Sequence, residues 1–222
     1  MNKTDMQLKQ DIEAELIWDP KVNAAQIGVT VDEGAVSLLG AVDTYAEKWA
    51  AEEATKRVTG VRTVAHDLTV KILADHKHSD SEIAAAALAA FKWDVYVPKA
   101  ITAKVQNGAV TLEGEATWNY QRNAAERVVR YLTGVVAVYN RITLNTHENP
   151  SPAQVRVKIE AALQRQATTD TNSIHIDTSG GKVTLTGHAS SWQSIEDAAN
   201  AAWAAPGVTE VVDRVQHAMT SP

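Results

Sequence analysis

Three stretches decide the reading of this chain: Gly34-Ala35-Val36-Ser37-Leu38-Leu39-Gly40, Gly108-Ala109-Val110-Thr111-Leu112-Glu113-Gly114 and Gly181-Lys182-Val183-Thr184-Leu185-Thr186-Gly187. They share the pattern Gly-x-Val-[Ser/Thr]-Leu-x-Gly and lie 74 and then 73 residues apart. A third glycine keeps the same intervals, at Gly60, Gly134 and Gly207, and each time a valine follows it (Val61, Val135, Val208). Upstream, Ile27, Ile101 and Ile174 hold the same phase. Self-similarity at a fixed period marks a structural unit written out more than once. A length of 222 residues suggests one or two domains, but the repeat divides the chain into three modules, 1–75, 76–149 and 150–222.

Each module has the same order of elements. An amphipathic helix comes first, with apolar residues at four-residue spacing: Leu8, Ile12, Leu16, then Ile83, Ala87, Phe91, then Val155, Ile159, Leu163. A half-buried strand follows, alternating through Ile27, Val29, Val31, through Ile101, Ala103, Val105, and through Ile174, Ile176, Thr178. Glu33-Gly34, Asn107-Gly108 and Gly180-Gly181 then supply the positive φ that a tight hairpin needs. The returning strand points Val36, Leu38, Gly40, Val42 inward, as do Val110, Leu112, Gly114, Ala116 and Val183, Leu185, Gly187, Ala189. Its mid-strand glycine is expected to let a helix approach closely. A second helix is expected over about Tyr45–Thr59, Tyr120–Thr133 and Trp192–Ala205, ending on Gly60, Gly134 or Gly207 as a left-handed cap. Its apolar faces are Ala51, Ala54, Val58, then Ala125, Val128, Leu132, then Ala198, Ala201, Ala205. A third strand closes the module, and His66, Asn140 and Asp213 interrupt it at one shared position, where a bulge or a solvated edge is expected. The fold class is α+β, each module being helix, hairpin, helix, strand, with two helices on one face of a three-stranded sheet.

The repeated Gly-x-Val-[Ser/Thr]-Leu-x-Gly stretch, the helix after it and the Gly-Val-x-x-Val turn into the last strand resemble the BON domain family in three tandem copies covering nearly the whole chain. The resemblance implies small, non-enzymatic α/β modules associated with envelope maintenance, osmotic stress and phospholipid, and in some members with chaperone-like or potassium-binding roles. The expectation is therefore a bacterial binding or interaction protein whose partner is an anionic phospholipid surface or another protein. The alternatives are a potassium sensor, with carboxylates such as Asp32 or Asp67 beside backbone carbonyls, and a chaperone-like interaction module.

Composition narrows the chemistry. Hydrophobic residues are 45% and charged residues 22%, as in ordinary globular chains. With no cysteine, disulfides, thiolate metal sites and cysteine nucleophiles are excluded. The alanine-rich run near Ala84–Phe91 is far shorter than the ~18 residues that span a bilayer. The opening Met1-Asn2-Lys3-Thr4-Asp5 lacks the features of a secretory signal, so a cytoplasmic location is expected, or a periplasmic one for a processed form. The net charge of −6 argues against nucleic acid, which is bound largely by phosphate neutralisation. That charge is uneven: 8 basic against 13 acidic residues in the first module, 8 against 7 in the second and 5 against 7 in the third.

The middle module therefore carries the candidate lipid contact. Arg122, Arg127 and Arg130 lie on its second helix, and Trp118 and Tyr120 at that helix's start. Glu126, four residues from both Arg122 and Arg130, offers the competing reading of a solvated, internally paired face. Six tryptophans against one phenylalanine (Trp18, Trp49, Trp93, Trp118, Trp192, Trp203) are expected to anchor modules to one another, and Leu39 marks a similar contact. Asp75-His76-Lys77-His78-Ser79-Asp80 could gather a cation, but its lysine and its place between modules argue against that. Thr178–Val183 looks like a phosphate loop only superficially, because it aligns with the other hairpin turns. His147, His175, His188 and His217 have no serine or carboxylate at a catalytic spacing, so no catalytic residue, metal or cofactor is assigned.

Overall fold

The first helix of every module is capped by a hydroxyl residue. In the computed structural model, which describes residues 3–146, 148, 150–165, 173–189 and 191–217, these are Thr4, Ser79 and Ser151. They precede helices α1 (Asp5–Trp18), α3 (Asp80–Trp93) and α5 (Pro152–Arg165). Each hydroxyl accepts the N–H of the residue three positions on, and that residue's side chain (Gln7, Glu82, Gln154) accepts the cap's own N–H. These reciprocal bonds satisfy helix-end donors that have no partner within the helix. Behind each cap the four-residue stripe (Leu8, Ile12, Leu16; Ile83, Ala87, Phe91; Val155, Ile159, Leu163) is buried.

The stripes cover three-stranded sheets. In the first module β1 (Ile27–Asp32) pairs antiparallel with β2 (Ala35–Val42), and β2 pairs parallel with the edge strand β3 (Thr63–Val70), which follows α2 (Tyr45–Lys56). The third module repeats this with β9 (Ile174–Ser179), β10 (Lys182–Ala189), α6 (Trp192–Trp203) and β11 (Glu210–His217). In the middle module β4 (Thr102–Gln106), β5 (Ala109–Glu113) and β7 (Ala137–Asn140) form the sheet, α4 (Asn119–Arg130) is the crossover, and β6 (Glu115–Ala116) pairs parallel with β8 (Thr143–Leu144). Val29 opposite Leu38, and Val31 opposite Val36, point to one face. In the first core Leu8, Ile12 and Leu16 of α1 and Ala50, Ala51 and Ala54 of α2 meet those strand residues, so both helices lie on that face. Val155, Ile159, Leu163, Ala198, Ala201 and Ala202 do the same over Ile176, Val183 and Leu185. Each fully buried leucine or isoleucine in such a core contributes about 1.5–3 kcal/mol.

Several expectations change or are narrowed. The mid-strand glycines do not admit a helix. A Cβ on Gly40, Gly114 or Gly187 would lie 2.0, 2.5 or 2.0 Å from the backbone oxygen of Gln26, Ala100 or Ser173, so the close neighbour is the chain entering the first strand. The second helices stop at Lys56, Arg130 and Trp203, short of Gly60, Gly134 and Gly207. Their last turns tighten into three-residue bonds (Val58 N–H to Thr55, Leu132 N–H to Val129, Ala205 N–H to Ala202), which unwind the helix before the glycine is reached. Of the bulge or edge expected at the shared position, His66 and Asp213 take the edge, on strands β3 and β11 whose parallel register runs unbroken; only at Asn140 does the ladder break, between β7 and β8. In α4 the deepest residues are Ala124, Ala125 and Val129 rather than Val128 and Leu132, a shift of one position around the helix.

The hairpin turns are held from outside the hairpin. The Asp5 carboxylate accepts the N–H groups of Glu33 and Gly34 at 2.9 and 3.2 Å, and Asp80 accepts those of Asn107 and Gly108, both at 2.8 Å. Both turns have positive φ at both central residues. Pro152 holds the corresponding helix position in the third module, where positive φ occurs at Gly180 and not at Gly181.

The chain gathers into two compact units. One comprises Met1–Val95, Thr102–Glu113 and Ala125–Arg141; the other comprises Tyr96–Ile101, Gly114–Ala124 and Ile142–Pro222. The first unit holds the whole first module with α3, β4, β5, the C-terminal part of α4 and β7. The second holds the start of α4, β6, β8 and the third module.

Candidate functional site

The arginines of α4 are already engaged. Its strongly amphipathic sequence buries Ala124, Ala125 and Val129 and turns the guanidinium groups outward to three different partners. Arg130 stacks over the Trp49 ring of α2 at 4.1 Å and pairs with Glu126 at 2.9 Å, its side chain only 12% exposed. Beside this stack, the Tyr45 pKa is raised, first by burial and then by the nearby Glu126 carboxylate. Arg127, half-exposed, pairs with Asp94 at 3.0 Å. Arg122 stacks over the Trp203 ring of α6 at 4.8 Å. A desolvated guanidinium over an indole is worth about 0.5–2 kcal/mol, so these contacts bind one module to the next. The structure therefore does not gather Arg122, Arg127 and Arg130 at a common point.

Trp118 precedes α4 and has no side-chain oxygen with which to cap it; the Gln121 amide oxygen instead accepts the N–H groups of Thr117 and Trp118 at 3.0 and 3.1 Å. Tyr120 is 54% exposed and stands edge to face with Tyr96, ring centres 5.7 Å apart. Of the five candidate lipid contacts, Tyr120 and Arg127 are the most open.

The tryptophans divide into two groups. Trp49 and Trp203 serve as inter-module anchors, each under an arginine, and Trp118 and Trp192 are half-buried. Trp18 and Trp93 are not anchors: they are 82% and 88% exposed, at the last residue of α1 and of α3. Ile17 and Val95 beside them are also exposed, as is Leu39. The exposed lysines Lys21, Lys92 and Lys99 lie within a few residues. The sequence contains the signal for this. Trp18 lies two residues beyond Leu16, and Trp93 two beyond Phe91, which at about 100° per residue puts both rings on the side of the helix away from the buried stripe.

Charge fixes the loop that follows α1. The Asp19 carboxylate accepts the Lys21 N–H at 3.0 Å and the Arg57 guanidinium at 2.9 Å, and Arg57 also reaches Glu15. The Lys21 amide first, and Arg57 next, hold the Asp19 pKa below the usual carboxylate range.

The remaining flagged residues have structural roles or lie in the open. Ser79 caps α3, Asp80 holds the turn amides, and His78 approaches Glu82 at 3.9 Å. Among the described residues no three histidines or carboxylates gather as metal ligands. Asp32 and Asp67 are exposed on β1 and β3. Thr178 donates to the Pro152 carbonyl, and Lys182 pairs with Glu210. His175 and His188 are exposed on their strands, and His147 lies outside the described residues. Among the described residues no helix is long and apolar enough to cross a membrane.

Comparison with known proteins agrees with the internal repeat. The family model of the BON domain matches residues 4–72, 79–146 and 151–219. Osmotically-inducible protein Y of Escherichia coli (strain K12) is 27% identical over 144 residues, spanning 61% of this chain and 70% of that protein. Two solved structures of CdsD, a structural protein of the type III secretion system of Chlamydia trachomatis, align at low identity. One is 15% identical, covering 97% of this chain and 99% of its own with a TM-score of 0.26. The other is 14% identical, covering 99% and 100% with a TM-score of 0.27. Scores this low say nothing about shared architecture.

Proposed function

Because this chain belongs to the BON domain family, in three tandem copies, we propose that it is a non-enzymatic binding protein of osmotic-stress or envelope physiology. The working division is three modules, 1–75, 76–149 and 150–222. Likeness to an osmotically inducible protein supports the physiological setting. The work is surface recognition, and the surface recognised is a phospholipid bilayer. One observation carries this reading: Trp18 and Trp93 stand exposed at equivalent helix ends. Indole rings partition to the membrane–water interface, and the exposed Lys21 and Lys92, within three residues of them in the chain, can meet phosphate oxygens. The acidic whole opposes long-range attraction to an anionic surface, so binding is short-range and depends on insertion of the rings. The α4 set, Arg122, Arg127, Arg130, Trp118 and Tyr120, is the second candidate contact, and its binding would depend more strongly on salt.

Flotation with anionic and with neutral phospholipid vesicles across a salt series tests both contacts. Flotation of the full chain with a blue shift of tryptophan emission is expected, lost in the doubly substituted W18A/W93A protein. Loss in an Arg127→Ala, Tyr120→Ala protein instead would transfer the contact to α4. No flotation at any salt would overturn the lipid reading and leave protein–protein recognition.

A further inference from the structure

Asn107-Gly108 is the one Asn-Gly sequence in the chain, and it occupies the two central positions of a type I′ turn, with φ 51° and 75°. Asn107 is exposed. Such a pair carries its own reaction. The Gly108 backbone nitrogen attacks the Asn107 side-chain carbonyl carbon, and a new N–C bond replaces the bond to the carboxamide nitrogen. That nitrogen leaves as ammonia, taking the Gly108 amide proton, and water then opens the cyclic imide to aspartate or to its β-linked isomer.

Geometry decides whether the ring can close. The bond from the Asn107 carbonyl carbon to the Gly108 nitrogen must eclipse the Asn107 Cα–Cβ bond. At ψ of about +30°, the value for the first central residue of a type I′ turn, that nitrogen is nearly anti to Cβ; at about −120°, the type II′ value, it eclipses Cβ. Closure therefore requires the peptide between Asn107 and Gly108 to flip.

Asp80 opposes the flip. Its two oxygens accept the Asn107 and Gly108 N–H groups together, both at 2.8 Å, which requires both amides to face α3. The chain contains its own comparison. Asp5 binds the turn amides in the first module, and that turn too has two positive φ values, whereas the third module has Pro152 at this helix position and positive φ at Gly180 but not Gly181, the type II′ pattern. We propose that Asn107-Gly108 is a latent self-deamidation site, that Asp80 is the latch holding it in the unreactive turn, and that losing the latch starts an irreversible change confined to the middle module. The product carries a carboxylate, or an extra backbone methylene, beside the Asp80 carboxylate, so the latch cannot re-form.

The test is timed incubation of the full chain followed by peptide mapping of the 105–110 segment for the acid and its β-linked isomer. Wild type should convert at least roughly tenfold more slowly than Asp80→Asn and Asp80→Pro, tenfold corresponding to about 1.4 kcal/mol of turn preference. Glu82→Gln disturbs the cap of the same helix without touching the turn and should stay close to wild type. Equal rates in wild type and both Asp80 variants would overturn the proposal. So would acceleration in Glu82→Gln matching that in Asp80→Asn, since general loosening of the module would then be the control.

Discussion

Gly40→Ala should destabilise the first module markedly more than Gly60→Ala does. Both glycines have positive φ, 126° and 108°, so a side chain strains the backbone at either position, by about 1–3 kcal/mol. The surroundings differ. At Gly60 the new methyl would meet Leu8 side-chain carbons at 3.5 and 3.7 Å, ordinary contact distances. At Gly40 it would lie 2.0 Å from the Gln26 carbonyl oxygen, a backbone atom fixed where the chain enters β1. Relief requires β1 to separate from β2, and forced overpacking of this kind costs a further ~1–3 kcal/mol. The total of about 2–6 kcal/mol compares with about 4–10 kcal/mol for a unit of this size at the usual stability per residue. Urea titration of the full chain by far-ultraviolet circular dichroism, paired with limited proteolysis to locate cleavage, separates the two. With m near 1–3 kcal/mol per molar urea, the first-module transition of Gly40→Ala should fall roughly 1 M below that of Gly60→Ala. Cleavage should appear within residues 1–75. Equal midpoints for the two variants would refute the reasoning, because only the Gln26 contact distinguishes them.

Replacing Arg130 with alanine removes the stack on Trp49 and leaves Glu126 without its guanidinium, so a loss of about 1–2 kcal/mol and a change in tryptophan emission are expected, while Arg130→Lys should restore only part of the stability. Asp19 sets an acid-side dependence. Its folded pKa is depressed, so its contribution is present above the unfolded value, near 3.9, and is lost as pH falls through the lower folded value; Asp19→Asn should flatten the acid limb of a midpoint-against-pH curve below about pH 4.5. At Asp213, on the edge strand β11, partial desolvation of the carboxyl outweighs the Val215 N–H it accepts and raises its pKa. Asp213→Asn should therefore cost nothing at neutral pH and lose any advantage on acidification, which thermal melts at two pH values will read.

The repeat, the order of elements and the buried stripes were legible in the sequence because each depends on local periodicity or on glycine. Leu8, Ile12 and Leu16 lie on one face of any helix, and Gly34 or Gly108 can take a φ closed to most residues. The capping boxes at Thr4-x-x-Gln7, Ser79-x-x-Glu82 and Ser151-x-x-Gln154 are equally local signals, carried by the three-residue spacing of hydroxyl and amide or carboxylate. What sequence could not supply were contacts without a period. Nothing local indicates that Gln26 O fills the space over Gly40, that Arg130 finds Trp49 or that Arg122 finds Trp203. The α4 arginines looked like one cationic patch because their partners are distant in the chain; on the sequence they are neighbours, and in the structure they go separate ways.

The three copies also separate what builds the module from what individualises it. Positions that agree in all three, such as Leu38, Leu112 and Leu185, are fully buried, and Gly40, Gly114 and Gly187 have no room for a methyl group. Positions that differ carry the contacts specific to each copy. Trp18 and Trp93 end their helices exposed where α5 ends on Arg165. Asp5 and Asp80 hold a turn where Pro152 cannot. The stack is written with the arginine on α4 both times, once against an earlier module and once against a later one, so the middle copy is the one chemically fitted to both neighbours. A module excised without its neighbours would keep its core and lose these stacks. Differences in binding among the three should therefore follow the unshared positions, and exchanging Trp93 for the arginine that ends α5 should move any vesicle contact of the middle copy toward that of the third.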